Sequence, residues 1–129
     1  MGTWGKGNLD GDGPCDFLDS VVDNLEQEVE ACFEEQISLQ AGEDVVMPAL
    51  HIWSRLCETC EAHAPQIDQL KKWQAAYLPV YDREMPELAD PEFTAERRKV
   101  IEATFKRLEQ QSEMYWSKVS QLGNGTCSN

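Results

Sequence analysis

The chain has 129 residues, and its 24 acidic side chains against 11 basic ones give a net charge of −13. This length fits one domain, and an apolar fraction of 41% is enough for a packed core instead of a disordered chain. The acidity argues against binding to nucleic acid or to an anionic membrane, and it favours a basic protein as partner. No apolar run reaches the roughly 20 residues that cross a bilayer, and the amino terminus lacks the apolar region of a secretory signal, so we expect a cytoplasmic protein.

The first thirteen residues predict an irregular arm, because five of the eight glycines of the chain lie there. We expect Trp4 to anchor this arm in the core through its large apolar surface, with Gly5 and Gly7 as further structural residues of the arm. Asp12 followed by Pro14 then predicts a capped helix start with proline in the first turn.

Apolar residues three and four apart predict helix one from this start to about Leu39. Helix two is predicted to begin near Glu43 or Asp44, to keep Pro48 in its first turn and to stop at Ala64, because the residue before a proline avoids helical torsions. Its apolar face is expected to hold a mostly buried set that includes Ile52.

The second half of the chain predicts two more helices. A short one runs from about Gln66 to Tyr77, and residues 78–90 read as loop or broken helix because they contain Pro79 and Pro86. Helix four begins at Pro91, is about 45 Å long and closes at Gly123. Its expected inward residues are Phe93, Val100, Ile101, Phe105, Leu108, Ser112, Tyr115, Trp116, Val119 and Leu122. The prediction is an all-α, single-domain bundle of about four helices over residues 1–129, with a glycine-rich arm at 1–13 and a flexible tail at 123–129.

The negative charge is concentrated in the first half. Residues 1–63 hold 14 acids and 2 bases, a balance of −12, whereas residues 64–129 hold 10 acids and 9 bases, a balance of −1. One interpretation is a solvated helix face that keeps the protein soluble. The other is a docking face for a basic protein, as in an immunity or regulatory protein. The residues that would form it are Asp23, Glu26, Glu30 and Glu34.

Residues 8–19 match the spacing of a twelve-residue calcium loop, with glycine at the sixth position, Gly13. The oxygen ligands would be Asn8, Asp10, Asp12, Asp16 and Asp19. Against calcium, the last position carries a short aspartate instead of a bidentate glutamate, and no helix enters the loop. The alternative is that Asp10 and Asp12 cap helix one and bond the turn amides.

Cys57 and Cys60 form a CxxC motif on the apolar face of helix two, with His63 close to the same face. They can be buried structural cysteines, two or three ligands of a zinc ion, or a redox pair. A fourth zinc ligand would have to come from elsewhere in the chain. Five cysteines, an odd number, without a secretory signal argue against a disulfide framework.

The basic run on helix four is expected to pack or pair against the acidic first helix, with Glu102 spaced to pair with Arg98 and Lys106. Its residues are Arg97, Arg98, Lys99, Lys106 and Arg107. The two histidines face different ways, so no nucleophile and base pair is predicted and no catalytic residue is assigned. An enzyme that uses the aspartates of the glycine-rich arm remains an alternative, and no cofactor other than calcium or zinc is suggested.

The opening residues Met1 to Gly7, followed by Leu9, Asp10, Gly11 and Asp12, resemble an uncharacterised bacterial family, domain of unknown function 4259, whose members begin MGTWG, one residue, G and FDND. Leu9 replaces the usual phenylalanine and Gly11 the usual asparagine. The later stretches 73–81 and 97–105, with Tyr115 and Trp116, are similar to some members. The resemblance implies a bacterial, cytoplasmic domain whose first residues belong to the fold, and it assigns no functional residue.

Overall fold

The computed structural model describes residues 7–122, and its helices pack into an all-α, single-domain bundle without strands in that range. Helix α1 spans Asp12–Glu34. A short helix α2, Leu39–Ala41, continues through a π-helical segment, Gly42–Val46, into α3, Met47–Cys60. Helices α4, Ile67–Leu88, and α5, Pro91–Leu122, follow. The predicted fold class is confirmed.

The core lies where α5 packs against α3 and α4, and α1 packs against α3 and the π-helical segment. The largest side chains without exposed surface come mainly from α3, α4 and α5: Trp53, Tyr77, Tyr81, Phe105, Leu50 and Leu70. Each contributes about 2 to 3 kcal/mol of burial free energy, so the bundle depends on these helices. Within residues 7–122, no helix is both long and apolar enough to span a bilayer.

The boundary between helices one and two differs from the prediction because Ser38 starts the second helix early. The Ser38 hydroxyl accepts a hydrogen bond from the Ala41 amide at 3.0 Å, as an N-cap residue does. Helix α1 therefore ends at Glu34 and not near Leu39, and the next helix begins at Leu39 and not at Glu43 or Asp44.

Helix α3 stops at Cys60, before the predicted end at Ala64. Glu61 has a left-handed backbone, with φ of 56°, and its amide donates to the Leu56 carbonyl. The Ala62 amide donates to the same carbonyl at 3.2 Å, which closes the helix end. The connection from Glu61 to Gln66 is therefore non-helical.

Residues 78–88 are helical, so the predicted loop or broken helix is wrong and α4 runs unbroken from Ile67 to Leu88. Pro79 and Pro86 lie on its exposed side. A proline frees the carbonyl four residues earlier, and water can bond those carbonyls because Ala75 and Asp82 are exposed too.

Helix α5 matches its predicted start at Pro91, where the Asp90 carboxylate accepts the Phe93 amide at 2.8 Å. Ile101, Phe105 and Leu108 are fully buried as predicted. Phe93 and Val100 are half exposed, because they lie about 80° and 100° away from Ile101 around the helix, on the same side.

Ile52 on α3 is also half exposed, contrary to the prediction. Ser54, two residues later, is buried, and its hydroxyl donates to the Gln111 side chain at 2.9 Å. The side-chain amide of Gln111 donates in turn to the Ser54 carbonyl at 3.1 Å. This paired hydrogen bonding between α3 and α5 makes a buried polar side chain acceptable there.

Candidate functional site

The most distinctive surface is a line of carboxylates along α1, which we call the acidic edge. Its residues are Asp12, Asp16, Asp19, Asp23, Glu26, Glu30 and Glu34. They recur at steps of three and four residues, so at 100° per residue they fall within an arc of about 80° and extend over about 33 Å. The four residues predicted as a docking face belong to this edge.

Within residues 7–122, no lysine or arginine forms an ion pair with the acidic edge. The ion pairs of arginine in that range are made with Glu58, Glu84, Glu43, Asp82 and Glu102. The prediction that the basic run of helix four pairs with the first helix is therefore wrong for Arg97 and Arg98, whose partners lie on the π-helical segment, α4 and α5. The predicted pair between Arg98 and Glu102 is confirmed at 2.8 Å.

Gln69 of α4 holds two carboxylates of the acidic edge in place. Its Nε2 donates to Glu26 at 2.9 Å and to Glu30 at 2.7 Å. Glu26 and Glu30, together with Asp23, Gln27 and Glu34, line a shallow groove along the helix. All four predicted docking residues thus lie together on one continuous surface of α1.

His63 is the one side chain with cationic capacity that reaches the acidic edge within the described range. Its Nδ1 lies 3.3 Å from Asp19 and its Nε2 lies 3.8 Å from Asp23. The ring sits edge-on to Trp53 at 6.4 Å, and Trp53 donates to the His63 carbonyl at 2.9 Å. The structure therefore brings His63 to Asp19, two residues that the sequence placed in separate candidate metal sites.

The connection that carries His63 is fixed by helix α5. Ser112 donates to the Pro65 carbonyl at 2.6 Å, and Trp116 donates to the Ala64 carbonyl at 3.1 Å. With Trp53 on the His63 carbonyl, three consecutive carbonyls accept side-chain hydrogen bonds. The segment is thus held by α3 and α5 while its histidine faces α1.

The five residues of the predicted calcium loop are divided between a turn and a helix. The Asp10 carboxylate accepts the Gly7 amide at 2.8 Å, and the Asp10 amide donates to the Gly7 carbonyl at 3.2 Å. Gly11, with φ of 104°, then starts α1, so that Asp12, Asp16 and Asp19 are helical. Asn8 is exposed within that turn, and Trp4 and Gly5 lie outside the described residues.

Cys57 and Cys60 lie in the last turn of α3, half buried and turned to different neighbours. The Cys57 Sγ donates to the His63 carbonyl at 3.8 Å, and the Cys60 Sγ lies 3.6 Å from the Thr59 hydroxyl. Burial raises the pKa of Cys57 to about 11, so this thiol is protonated at neutral pH. Burial, helped by the Glu28 carboxylate, also raises the pKa of Cys32.

No three His, Cys, Asp or Glu side chains within residues 7–122 are arranged to hold a metal ion. The calcium site at residues 8–19 and the zinc site at Cys57, Cys60 and His63 stay predictions, which elemental analysis of the purified protein tests.

A second polar cluster, which sequence reasoning missed, joins three elements. The Tyr77 hydroxyl donates to Glu43 at 2.6 Å, and Arg97 Nε donates to the other Glu43 oxygen at 2.7 Å. Burial raises the pKa of Tyr77 far above its ordinary value, and the hydrogen bond and negative charge of Glu43 raise it further. Because the Tyr77 ring is fully buried, this cluster ties α4 and α5 to the π-helical segment and offers its hydroxyl to no ligand.

Comparisons of the chain with protein-family models, with curated proteins and with solved structures found no match.

Proposed function

We propose that this chain is a non-catalytic interaction protein, comparable to an immunity or regulatory protein, that binds a basic protein through the acidic edge of α1. The observation that carries the proposal is the absence of any lysine or arginine partner for that edge within residues 7–122. A continuous line of negative charge without such partners complements a protein of opposite charge.

The acidic edge also lowers the stability of the helix that bears it. Four like-charged pairs stand four residues apart, formed by residues 12 and 16, 19 and 23, 26 and 30, and 30 and 34. Each such pair destabilises an exposed helix by about 0.2 to 0.5 kcal/mol, so together they cost about 1 to 2 kcal/mol. Alternating charges would have made the helix equally soluble and more stable, which supports a role in binding.

The groove lined by Asp23, Glu26, Glu30 and Glu34 is the proposed centre of the interface. Gln69 orients two of these carboxylates before any partner arrives, which lowers the entropy lost on binding. The surrounding negative charge accelerates association with a basic protein at low ionic strength.

We place this interaction in the bacterial cytoplasm, in line with the family that the opening residues resemble, without nucleic acid or membrane as partner. The net charge of −13 supports the exclusion of both polyanionic surfaces.

The test is capture of partners from a native lysate, followed by affinity measurement with the purified partner. Reversing Glu26, Glu30 and Glu34 to lysine should weaken binding by about 100-fold or more, because three charges facing the partner change sign. The matched control reverses Glu87, Glu96 and Glu113, which are exposed on α4 and α5, and it should retain most of the affinity. Circular dichroism of both variants establishes that they are folded.

Added salt should release the partner from the unmodified protein. Equal binding by the two triple variants, or a partner that salt does not release, would reject the acidic edge as the docking face.

A further inference from the structure

We propose that Cys57 and Cys60 form a reversible disulfide when the protein meets a peroxide, which makes the last turn of α3 a redox-modified site. This inference is independent of the acidic edge and concerns the CxxC motif that the proposed function leaves unused.

The spacing of the two cysteines permits the bond. Residues three apart in an α-helix have Cα atoms about 5 Å apart. Disulfides span Cα separations of about 4.4 to 6.8 Å, so the helix already holds the two backbones within bridging distance. Both residues are half buried and neither is enclosed in the core, so a small oxidant can approach them.

The end of the helix is the place where such a bond can be accommodated. Cys60 is the final residue of α3, and Glu61 already leaves helical geometry with φ of 56°. Bridging Cys57 to Cys60 therefore distorts one terminal turn, whereas the same bond in the middle of a helix would disturb hydrogen bonds on both sides. The connection after Cys60 keeps its own anchors, since Trp53, Ser112 and Trp116 hold its carbonyls.

Little is lost when the thiols rotate toward one another. Cys57 gives up a 3.8 Å contact to the His63 carbonyl, and Cys60 gives up a 3.6 Å contact to the Thr59 hydroxyl. Sulfur is a weak donor and a weak acceptor, so both contacts are minor. The His63 carbonyl keeps its hydrogen bond from Trp53.

The first attack is assigned to Cys60, because the Cys57 thiol directs its proton at the His63 carbonyl and burial raises the pKa of that thiol. The Cys60 thiolate attacks one peroxide oxygen, the O–O bond breaks and the departing hydroxide takes up a proton as water, which leaves a sulfenic acid. The Cys57 sulfur then attacks the Cys60 sulfur. The S–S bond forms, the S–O bond breaks and the oxygen leaves as water with the Cys57 proton. Two thiols are oxidised, and one peroxide is reduced to two waters.

The test is mass spectrometry of the reduced full chain after treatment with hydrogen peroxide in a buffer that contains a chelator. Trypsin cleaves after Arg55 and Lys71 and releases residues 56–71, a peptide whose cysteines are Cys57 and Cys60 alone. The proposal expects this peptide to lose about 2 Da, the mass of two hydrogens, and to regain it with dithiothreitol.

Two variants test which cysteine attacks the peroxide and which one completes the disulfide. Cys57→Ser should leave a sulfenic acid on Cys60 that dimedone traps, and Cys60→Ser should give neither the disulfide nor a trapped adduct on this peptide. Cys32→Ser is the control and should keep the loss of mass. The proposal is overturned if peptide 56–71 keeps both thiols while other cysteines react, or if Cys57 or Cys60 is recovered joined to a different peptide.

Discussion

Gly42 is the residue whose identity the packing restricts most directly. A methyl group added to its Cα would overlap the Tyr77 ring, which crosses the π-helical segment at this point. Because that ring is fully buried between α4 and the segment, it has no free space into which to move. Gly42→Ala should therefore lower the free energy of unfolding by about 1 to 3 kcal/mol, as overpacking does, in urea denaturation.

Gly13 provides the matched control. It lies in the first turn of α1, and a methyl group added to its Cα would meet no neighbouring group within 4 Å. Gly13→Ala should leave stability unchanged or raise it by up to about 1 kcal/mol, because alanine has the higher helix propensity. Equal effects of the two substitutions would show that the Tyr77 ring moves aside and does not require glycine at position 42, whose backbone is ordinary right-handed helix.

Tyr77 gives the protein a defined response to alkaline pH. Its folded pKa is raised by burial and by Glu43, whereas in the unfolded chain a tyrosine ionises near pH 10. Above that pH the unfolded state has released a proton that the folded state keeps, so the unfolded state binds fewer protons and stability falls as the pH rises. Tyr81, whose pKa burial also raises, adds to the same slope.

Tyr77→Phe separates the hydrogen bond from this titration. At pH 8 the variant should be less stable by about 1 to 3 kcal/mol, because the hydroxyl no longer bonds the Glu43 carboxylate. At pH 11 the difference should shrink, since the variant has one titrating tyrosine fewer in its unfolded state. Urea denaturation at the two pH values measures it, and a difference that stays constant or grows would contradict this assignment.

At the scale of the elements, local sequence signals predicted the class and number of helices, while their ends and faces depended on contacts between distant residues. Two prolines in residues 78–90 favour a loop, yet the helix persists because Val80, Tyr81 and Met85 are buried on its other side. The start at Leu39 had a local signal, the Ser38 cap, that could have been recognised.

The candidate site likewise has one part that the sequence predicts and one part that it does not. The acidic edge follows from helical spacing alone, so its carboxylates could be predicted from the sequence. The Glu43 cluster could not, because Glu43 and Tyr77 are 34 residues apart and meet through a π-helical register that no local pattern indicates. Gln69 likewise reaches Glu26 and Glu30 across the interface of two helices.

The connection between α3 and α4 should depend on α5 for its conformation. Ser112 is buried and supplies a hydrogen bond of 2.6 Å to the Pro65 carbonyl, itself in a buried residue. Ser112→Ala leaves that carbonyl without this donor and should cost about 1 to 3 kcal/mol in urea denaturation. Ser117→Ala, five residues on and exposed, should change stability by less than about 0.5 kcal/mol. A Ser112→Ala variant as stable as the Ser117→Ala variant would show that water or a backbone shift satisfies the carbonyl instead.

For the whole molecule, two electrostatic effects on stability oppose one another, and the response of the thermal midpoint to salt shows which of them is larger. Ion pairs such as Arg98 with Asp82 and Glu102 stabilise the fold, but their side chains are between one-third and one-half exposed, so each is worth about 1 kcal/mol or less. The net charge of −13 acts against every compact arrangement of the chain. Because the acidic edge has no arginine or lysine partner within residues 7–122, repulsion should be the larger effect.

The thermal midpoint should therefore rise by about 4 °C or more between 10 mM and 500 mM sodium chloride, since the screening length falls from about 30 Å to below 8 Å. Replacing Glu26, Glu30 and Glu34 with glutamine should raise the midpoint at low salt and reduce its dependence on salt. The same replacement at Glu87, Glu96 and Glu113 should change both quantities less. Differential scanning calorimetry on the three proteins measures both quantities. A midpoint that falls with salt would mean that the ion pairs outweigh the repulsion, and the acidic edge would then carry no cost in stability that a basic partner could relieve.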